Sequence, residues 1–342
     1  MLDAATPFGT TVHLPRTAAE DLPYPPPERP SEVAAFFERE GYVVLRGLLP
    51  AAVCDEVRTA FDAEVRRSPV PILRQKNMRY ERNEFSAEGF LSNPIFNFQD
   101  LETRRFGRFK RAALDALTHP RLAAATAALL GNDGPAKLVQ TMFFEAPAGT
   151  WAHQDSYYQD SAESLGRCVA AWVALEDIDP GAGRFYVVPR SHRLMPVLRN
   201  AGNLAVAPHH ERYKQAMVEA VREARLESHA PALAKGDVLL WGSLTVHGSL
   251  PAGRRGVSRT SLTAHYLREA DEMLQFHTRI RRQTQMRHNG MTVCLLHDQD
   301  RLHNRMVRSL AWYLPGLHGT ARRAAIRALL ALRGGGRGAA AA

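Results

Sequence analysis

The sequence predicts a mainly β protein, an antiparallel sandwich or barrel with helices before and after it. Three observations carry that expectation. From residue 137 onward the chain breaks into short apolar or alternating runs punctuated by Gly, Pro and Asp. Ahead of them, across 31–130, the texture is largely helical. The 342 residues, 45 % hydrophobic and 23 % charged, supply ample material for a large core and are too apolar for a disordered chain.

In chain order, residues 1–30 are proline-rich and read as an extended arm. Ser31 reads as an N-cap, with 32–40 as a short helix stopped by Gly41. Tyr42-Val43-Val44-Leu45 is a buried strand, and a second helix follows over 50–65. Residues 68–100 carry much charge and little periodicity; a loop that long inside a domain is functional or disordered. A helix-rich stretch, 101–130, ends at Gly131. The β runs are 138–146, 168–175, 184–188, 238–241, 245–247 and 259–267, interrupted by a longer helix over 211–227. After 276 two helices are expected. Asp298 or Asp300 opens the first, Pro315-Gly316 breaks it, Thr320 caps the second, and GGGRGAAAA forms a disordered tail.

The net charge is +9, and its placement decides what it means. Residues 277–342 hold twelve Arg, no Lys and two acids, a net of +10, which leaves about −1 for everything before them. Basicity therefore belongs to the C-terminal fifth, and no nucleic-acid partner is expected for the body. Cys54, Cys168 and Cys294 lie far apart and match neither a disulfide framework nor a CxxC zinc site. The first ten residues lack a basic and then apolar leader, and no apolar run approaches the roughly 20 residues of a membrane span. A reducing, cytoplasmic setting is expected.

His153-Gln154-Asp155 follows an apolar strand and a Pro-Ala-Gly turn. At i and i+2 of an extended segment, His153 and Asp155 point to one side. His247, at the end of the strand that begins Gly236-Asp237, is the candidate third ligand. Two His and one carboxylate on one face of an octahedral ion form the facial triad of non-haem Fe(II) oxygenases, which leaves three positions open. Arg259 lies twelve residues past His247 and opens another strand. A guanidinium aimed into a barrel needs an anion, and it grips a carboxylate bidentately. A dicarboxylate that chelates the metal at one end and meets Arg259 at the other satisfies both.

Taken together, the HxD, the tryptophan-bearing strand after it, a Pro-x-Ser-His turn (Pro189 to His192), the Gly-Asp strand ending in His-x-Ser and the strand-opening Arg259 resemble the phytanoyl-CoA dioxygenase family. The resemblance covers about 139–267, more loosely 36–131. It implies a double-stranded β-helix (a jelly-roll, cupin-like core) and an Fe(II)- and 2-oxoglutarate-dependent oxygenase that also consumes O2. It implies His153, Asp155 and His247 as iron ligands and catalytic residues, and Arg259 as the partner of the distal carboxylate. Gln154, Trp172 and Ser249 fall where the family has further cosubstrate contacts. Where some members place a Lys before a Gln-Asp pair, this chain has Asn97 before Phe98-Gln99-Asp100, an uncharged donor. The turn before the Pro-x-Ser-His segment is altered too, reading Gly181-Ala182-Gly183-Arg184. Related halogenases replace the carboxylate ligand with a small residue, and Asp155 points instead to oxygenation.

The expected layout is an arm over 1–30, an oxygenase domain over 31–276 with its jelly-roll core at about 137–267, and a basic helical extension over 277–342. The expected activity is hydroxylation of an unactivated C–H bond of a small molecule (a specialised metabolite, amino-acid derivative or acyl thioester) with release of succinate and CO2. Tyr157, Tyr158 and Arg79 are candidate substrate contacts, although Tyr157 and Tyr158 cannot both point inward from a strand. The charged stretch 74–82 is a candidate lid whose basic residues suit an anionic substrate. Trp241 and His265 read as core, and His209-His210 as loop. The stripe over 321–332, ringed by Arg, suits either docking on the barrel or contact with a partner or membrane surface. Two rival readings are a cupin enzyme that uses no 2-oxoglutarate and a non-catalytic binding protein acting through its basic C-terminal helices.

Overall fold

The computed structural model describes residues 2–131, 134–147, 149–194, 206–276, 279–281 and 283–320, together with Ala324. The stripe over 321–332 and the glycine-rich tail lie outside these, as does the side chain of His209.

Helix α1 (Pro30–Glu40) leads into β1 (Tyr42–Leu45), then α2 (Ala51–Ala60), α3 (Thr103–Leu117) and α4 (Pro120–Leu129). The β core comprises β2 (Ala136–Phe144), β3 (Thr150–His153), β4 (Val169–Ala174) and β5 (Phe185–Val187). After α5 (Val206–Glu223) come β6 (Val238–Gly242), β7 (His247–Ser249) and β8 (Ser261–Arg268). A hairpin of β9 (Thr284–His288) and β10 (Met291–Leu295) precedes α6 (Leu302–Tyr313).

The strands β1 to β10 form two facing sheets, with smaller sheets at the periphery. The large sheet runs β9-β10-β2-β8-β4-β6-β1, with Ile95–Phe96 also paired to β2. The small one runs β5-β7-β3. This is the jelly-roll class that the sequence predicts, open rather than a closed barrel.

Strand alternation sorts the core into layers. Val43, Val173, Leu240, Leu262 and Phe143 on the outer face of the large sheet pack against Val57, Phe61, Phe106 and Phe109 of the helical layer. Phe61 stacks on Phe143 at 4.3 Å, with Phe109 edge-on to Phe143 at 5.4 Å. Inward, Val44, Ala170, Trp172, Leu239 and Trp241 meet Val187 of the small sheet. Strands covered on both faces have no reason to alternate in polarity, which is why YVVL and VAAWVA read as continuous apolar runs.

Several expectations change. Within the expected extended arm, Leu2–Ala5 pairs with Thr11–Leu14, and Phe8, Val12 and Leu14 are buried against Tyr186, Tyr213 and Met217. The prolines concentrate after residue 14, which leaves an alternating strand sequence before them. The sheet also continues past 276, because β10 is fully buried and pairs in parallel with β2. Gln99 Nε2 donates to Cys294 O, and Asp100 accepts from Leu296 N and His297 N, so the Gln-Asp pair latches this hairpin to the core.

The 74–82 stretch is a short hairpin, Ile72–Leu73 against Tyr80–Glu81. Arg74 is fully buried, donating to Glu81 O, Asn93 O and Asn83 Oδ1, so the segment is anchored rather than hinged. Arg29, not Ser31, occupies the N-cap position of α1, without a side-chain cap, and α3 and α4 split at Pro120. Among the described residues no helix is long and apolar enough to cross a membrane.

Candidate metal centre

His153 ends β3 and His247 opens β7, and the two are register partners across the antiparallel pair. The close approach of these strands depends on Gly248, where a Cβ would lie 2.7 Å from Tyr186 Oη and 2.8 Å from Thr150 O. Past His153 the chain stays extended for one residue, Gln154 at φ −107 and ψ 133, before Asp155 begins a 3-10 turn. Asp155 therefore returns to the side of His153, as the i, i+2 spacing requires.

Each imidazole is oriented by a main-chain carbonyl two residues back. His153 Nδ1 lies 2.9 Å from Trp151 O, and His247 Nδ1 lies 2.9 Å from Thr245 O. Donation from Nδ1–H leaves each Nε2 lone pair free to ligate. Both Nε2 atoms are 3.5 Å from Asp155 Oδ1, and all three ligand atoms lie within 4.8 Å of one another. Adjacent ligands on an octahedral ion with bonds of about 2.1 Å are roughly 3 Å apart, so the donors need to close only slightly on an ion.

Burial opposes charge on His247 and on Asp155. It lowers His247 to about 3, which keeps that imidazole neutral. Burial pushes Asp155 upward as well, but the surrounding imidazoles, led by His247 and His265, hold its carboxyl well below the usual range. Neutral imidazole and ionised carboxylate are the forms that bind a metal. Two nitrogens and one oxygen, with no thiolate, fit a divalent iron.

The second carboxylate oxygen faces elsewhere. Trp241 Nε1 donates to Asp155 Oδ2 at 2.8 Å, and His265 Nε2 lies 3.1 Å from the same oxygen. The indole also packs 4.9 Å from the His247 ring and 4.8 Å from Phe185. Both residues are buried, as the core reading expects, and both also face this carboxylate. Both occupy inward positions, Trp241 beside Leu239 on β6 and His265 beside Thr263 on β8, and inward alternation was the available signal.

Arg259 is 2 % exposed and donates from Nη1 to Gly183 O. Burial lowers it to about 10, which leaves it charged at neutral pH. Gly183 lies two residues before Phe185, the register partner of Ser249, so Arg259 meets the chain just before the start of β5, four positions beyond His247 along that pairing. Ser249 is buried on the same face as His247, and its Oγ accepts from Thr150 N. Trp172 is buried on the inner face of the large sheet, opposite Leu239 and Thr263.

The other candidate contacts are placed as follows. Gln154 is wholly buried with its amide donating to Leu244 O, because the residue between two ligands on an extended segment must point the opposite way. Asn97 adopts φ 51 at the edge of the large sheet, where its main chain donates to Thr141 O and its Oδ1 lies 3.4 Å from Thr141 N. Tyr157 stacks on Tyr213 at 3.8 Å inside the layer beneath the small sheet. Arg79 is exposed on the 74–82 hairpin.

Tyr158 is the tyrosine that reaches the centre, its ring 5.6 Å from His153. Its hydroxyl lies 2.9 Å from His210 Nε2 and accepts from Trp151 Nε1 at 3.2 Å. Lys214 Nζ sits 5.5 Å over the Trp151 ring, and Phe276 completes the rim 6.5 Å from Tyr158. Trp151 and Phe276 are both about two-fifths exposed. His210 belongs to α5, not to a loop.

Residues 37–257 match the model of the family described as phytanoyl-CoA dioxygenase (PhyH), a span that holds all three triad residues and stops two short of Arg259. Phytanoyl-CoA dioxygenase domain-containing protein 1 of Bos taurus is 30 % identical over 192 residues, 48 % of this chain and 65 % of that protein. The chain thus spans just under two thirds of that relative's length. Among solved structures, EctD from S. alaskensis with 2-oxoglutarate and 5-hydroxyectoine is 18 % identical with a TM-score of 0.52, covering 77 % of this chain and 87 % of its own. The non-haem alpha-ketoglutarate-dependent epimerase SnoN from nogalamycin biosynthesis is 21 % identical at 0.51, covering 74 % and 88 %. The carbocyclase SnoK of the same biosynthesis is 17 % identical at 0.51, covering 75 % and 88 %. At these identities the likeness concerns the fold.

Proposed function

The chain belongs to the phytanoyl-CoA dioxygenase family, and from that premise we propose that it hydroxylates an unactivated C–H bond of a small molecule with an apolar body and an acidic substituent. It is a 2-oxoglutarate-dependent non-haem iron dioxygenase, with Fe(II) as cofactor and 2-oxoglutarate and O2 as cosubstrates. The observation that carries the reading is the convergence of His153 Nε2, His247 Nε2 and Asp155 Oδ1 on one point between the two sheets.

In this reading His153, Asp155 and His247 hold the iron, and Arg259 takes the distal carboxylate of 2-oxoglutarate, with Ser249 and Trp172 beside it. Bound together, iron, 2-oxoglutarate and O2 supply oxygen insertion coupled to release of succinate and CO2. The chain's own residues do the rest. The Nδ1 hydrogen bonds of His153 and His247 aim the ligating nitrogens and fix their tautomers. Arg259, a fixed cation at the far end, orients the cosubstrate and draws it out of water. Tyr158, Trp151 and Phe276 offer the substrate an apolar wall beside His153, while Lys214 and His210 at its edge favour an acidic group.

A guanidinium held buried and charged at Arg259 suits the distal carboxylate of 2-oxoglutarate, and that fit favours this reading over a cupin without the cosubstrate. A reducing, cytoplasmic setting belongs to the same proposal, since Cys54, Cys168 and Cys294 are free and buried. The test is anaerobic. Apo-protein given Fe(II) and then 2-oxoglutarate should develop the visible charge-transfer band of a chelated 2-oxo acid, and His153→Ala should lose it. Iron binding without a band would favour the cupin reading, and absence of iron binding would sink both.

A further inference from the structure

We propose that Trp241 is a positioning residue that holds Asp155 as a one-oxygen ligand, keeping three adjacent positions of the bound metal open. The inference rests on the reading of His153, Asp155 and His247 as metal ligands.

A carboxylate binds a cation through one oxygen or through both. With two imidazoles on a six-coordinate ion, one-oxygen binding leaves three positions, enough for a chelating 2-oxo acid and O2. Two-oxygen binding leaves only two. Which mode Asp155 adopts therefore decides whether both cosubstrates fit, and the sequence motif alone does not specify it.

The geometry does. Oδ1 faces the two ligating nitrogens at 3.5 Å each, whereas Oδ2 receives the aligned Trp241 N–H at 2.8 Å. An indole nitrogen is a donor only, so this bond has one polarity and no alternative. Trp241 is 1 % exposed and wedged between Phe185 and His247, so the donor cannot swing away. Rotating Oδ2 onto the metal would abandon a buried N–H, which is costly in a dry interior. His265 Nε2 at 3.1 Å is close but off-line for a linear hydrogen bond, and it acts as a second dipole against the same oxygen. Its other ring nitrogen faces the Gln140 amide at 3.5 Å.

The experiment compares native protein with Trp241→Phe, which keeps a ring and removes the donor. Fe(II) affinity is measured by anaerobic titration, and 2-oxoglutarate affinity of the Fe(II) protein is read from the charge-transfer band. The expected result is Fe(II) affinity within about threefold of native and 2-oxoglutarate affinity weakened about tenfold or more, the scale on which partners of metal ligands act. Benzothienylalanine at position 241, with the indole's shape but no N–H, should behave like Trp241→Phe and guards against a variant that merely packs badly. Unchanged 2-oxoglutarate affinity and band in the benzothienylalanine protein would overturn the proposal. His153→Ala separates the two layers of argument: if it binds Fe(II) as tightly as native protein, the ligand reading itself is wrong and the Trp241 proposal goes with it.

Discussion

His153 and His247 face each other directly across β3 and β7, and Gly248 sets the distance between their strands. The two ligands are thus fixed by backbone pairing before any metal is present, and only Asp155 depends on a turn. Gly248→Ala adds a methyl group 2.7 Å from Tyr186 Oη and 2.8 Å from Thr150 O. The strands must part to admit it, at a cost of about 1–3 kcal/mol. The expected outcome is a folded protein, modestly less stable in urea, whose Fe(II) affinity falls far more than its stability. Native iron binding in that variant would refute the strand-spacing argument.

Asp155→Ala removes the only carboxylate among the three proposed ligands and leaves its buried donor Trp241 unpaired. Fe(II)-dependent succinate formation should disappear. Thermal unfolding should remain cooperative, because the site sits between sheets whose strand pairing does not use that side chain. Full activity in Asp155→Ala or in His247→Ala would remove the basis of the functional reading.

For Arg259 the expected effect is on cosubstrate. Losing a charge-assisted contact of about 1.5–3 kcal/mol should raise the 2-oxoglutarate requirement of Arg259→Ala roughly 10- to 100-fold. Turnover at saturating 2-oxoglutarate should change less. Arg259→Lys should recover part of this at most, since an ammonium lacks the planar fork. An unchanged requirement, measured by succinate release against 2-oxoglutarate concentration, would refute the assignment.

The metal triad was legible in the sequence because its logic is local. An extended HxD puts two donors on one side, and His247 supplies the third from the neighbouring strand, although it opens β7 rather than ending the strand from Gly236-Asp237. Tyr158 against Tyr157 was not decidable, because the strand ends at His153 and a 3-10 turn replaces the alternation on which such a choice depends. Gln154 lies between the two ligands, and the same alternation sends its amide to Leu244 O. The hairpin of β9 and β10 escaped notice because its strands lie in a region dominated by arginine, and only pairing with β2, some 150 residues earlier in sequence, reveals why MTVCL is apolar. Arg74 reads as surface charge in sequence, yet three accepting groups in the fold bury it.

Asp100 provides the pH dependence. Burial raises its carboxyl to about 7, against the opposing pull of the His297 and Leu296 N–H groups and of Lys110. In the unfolded chain the same group ionises near 3.8, the ordinary value for an aspartate. The folded form therefore retains a proton that the unfolded form has released between these two values. Stability from this group is fully present below about pH 4 and is lost as pH rises through 7, with an upper limit of about 4 kcal/mol for a shift of this size. Asp100→Asn keeps a neutral acceptor toward the latched C-terminal segment and cannot ionise. Its stability, followed by urea unfolding from pH 4 to pH 8, should fall less with rising pH than that of the native protein, so the two curves diverge toward high pH. Parallel curves over that range would show that Asp100 is ionised in the fold and that its latch onto Leu296 and His297 carries a charge.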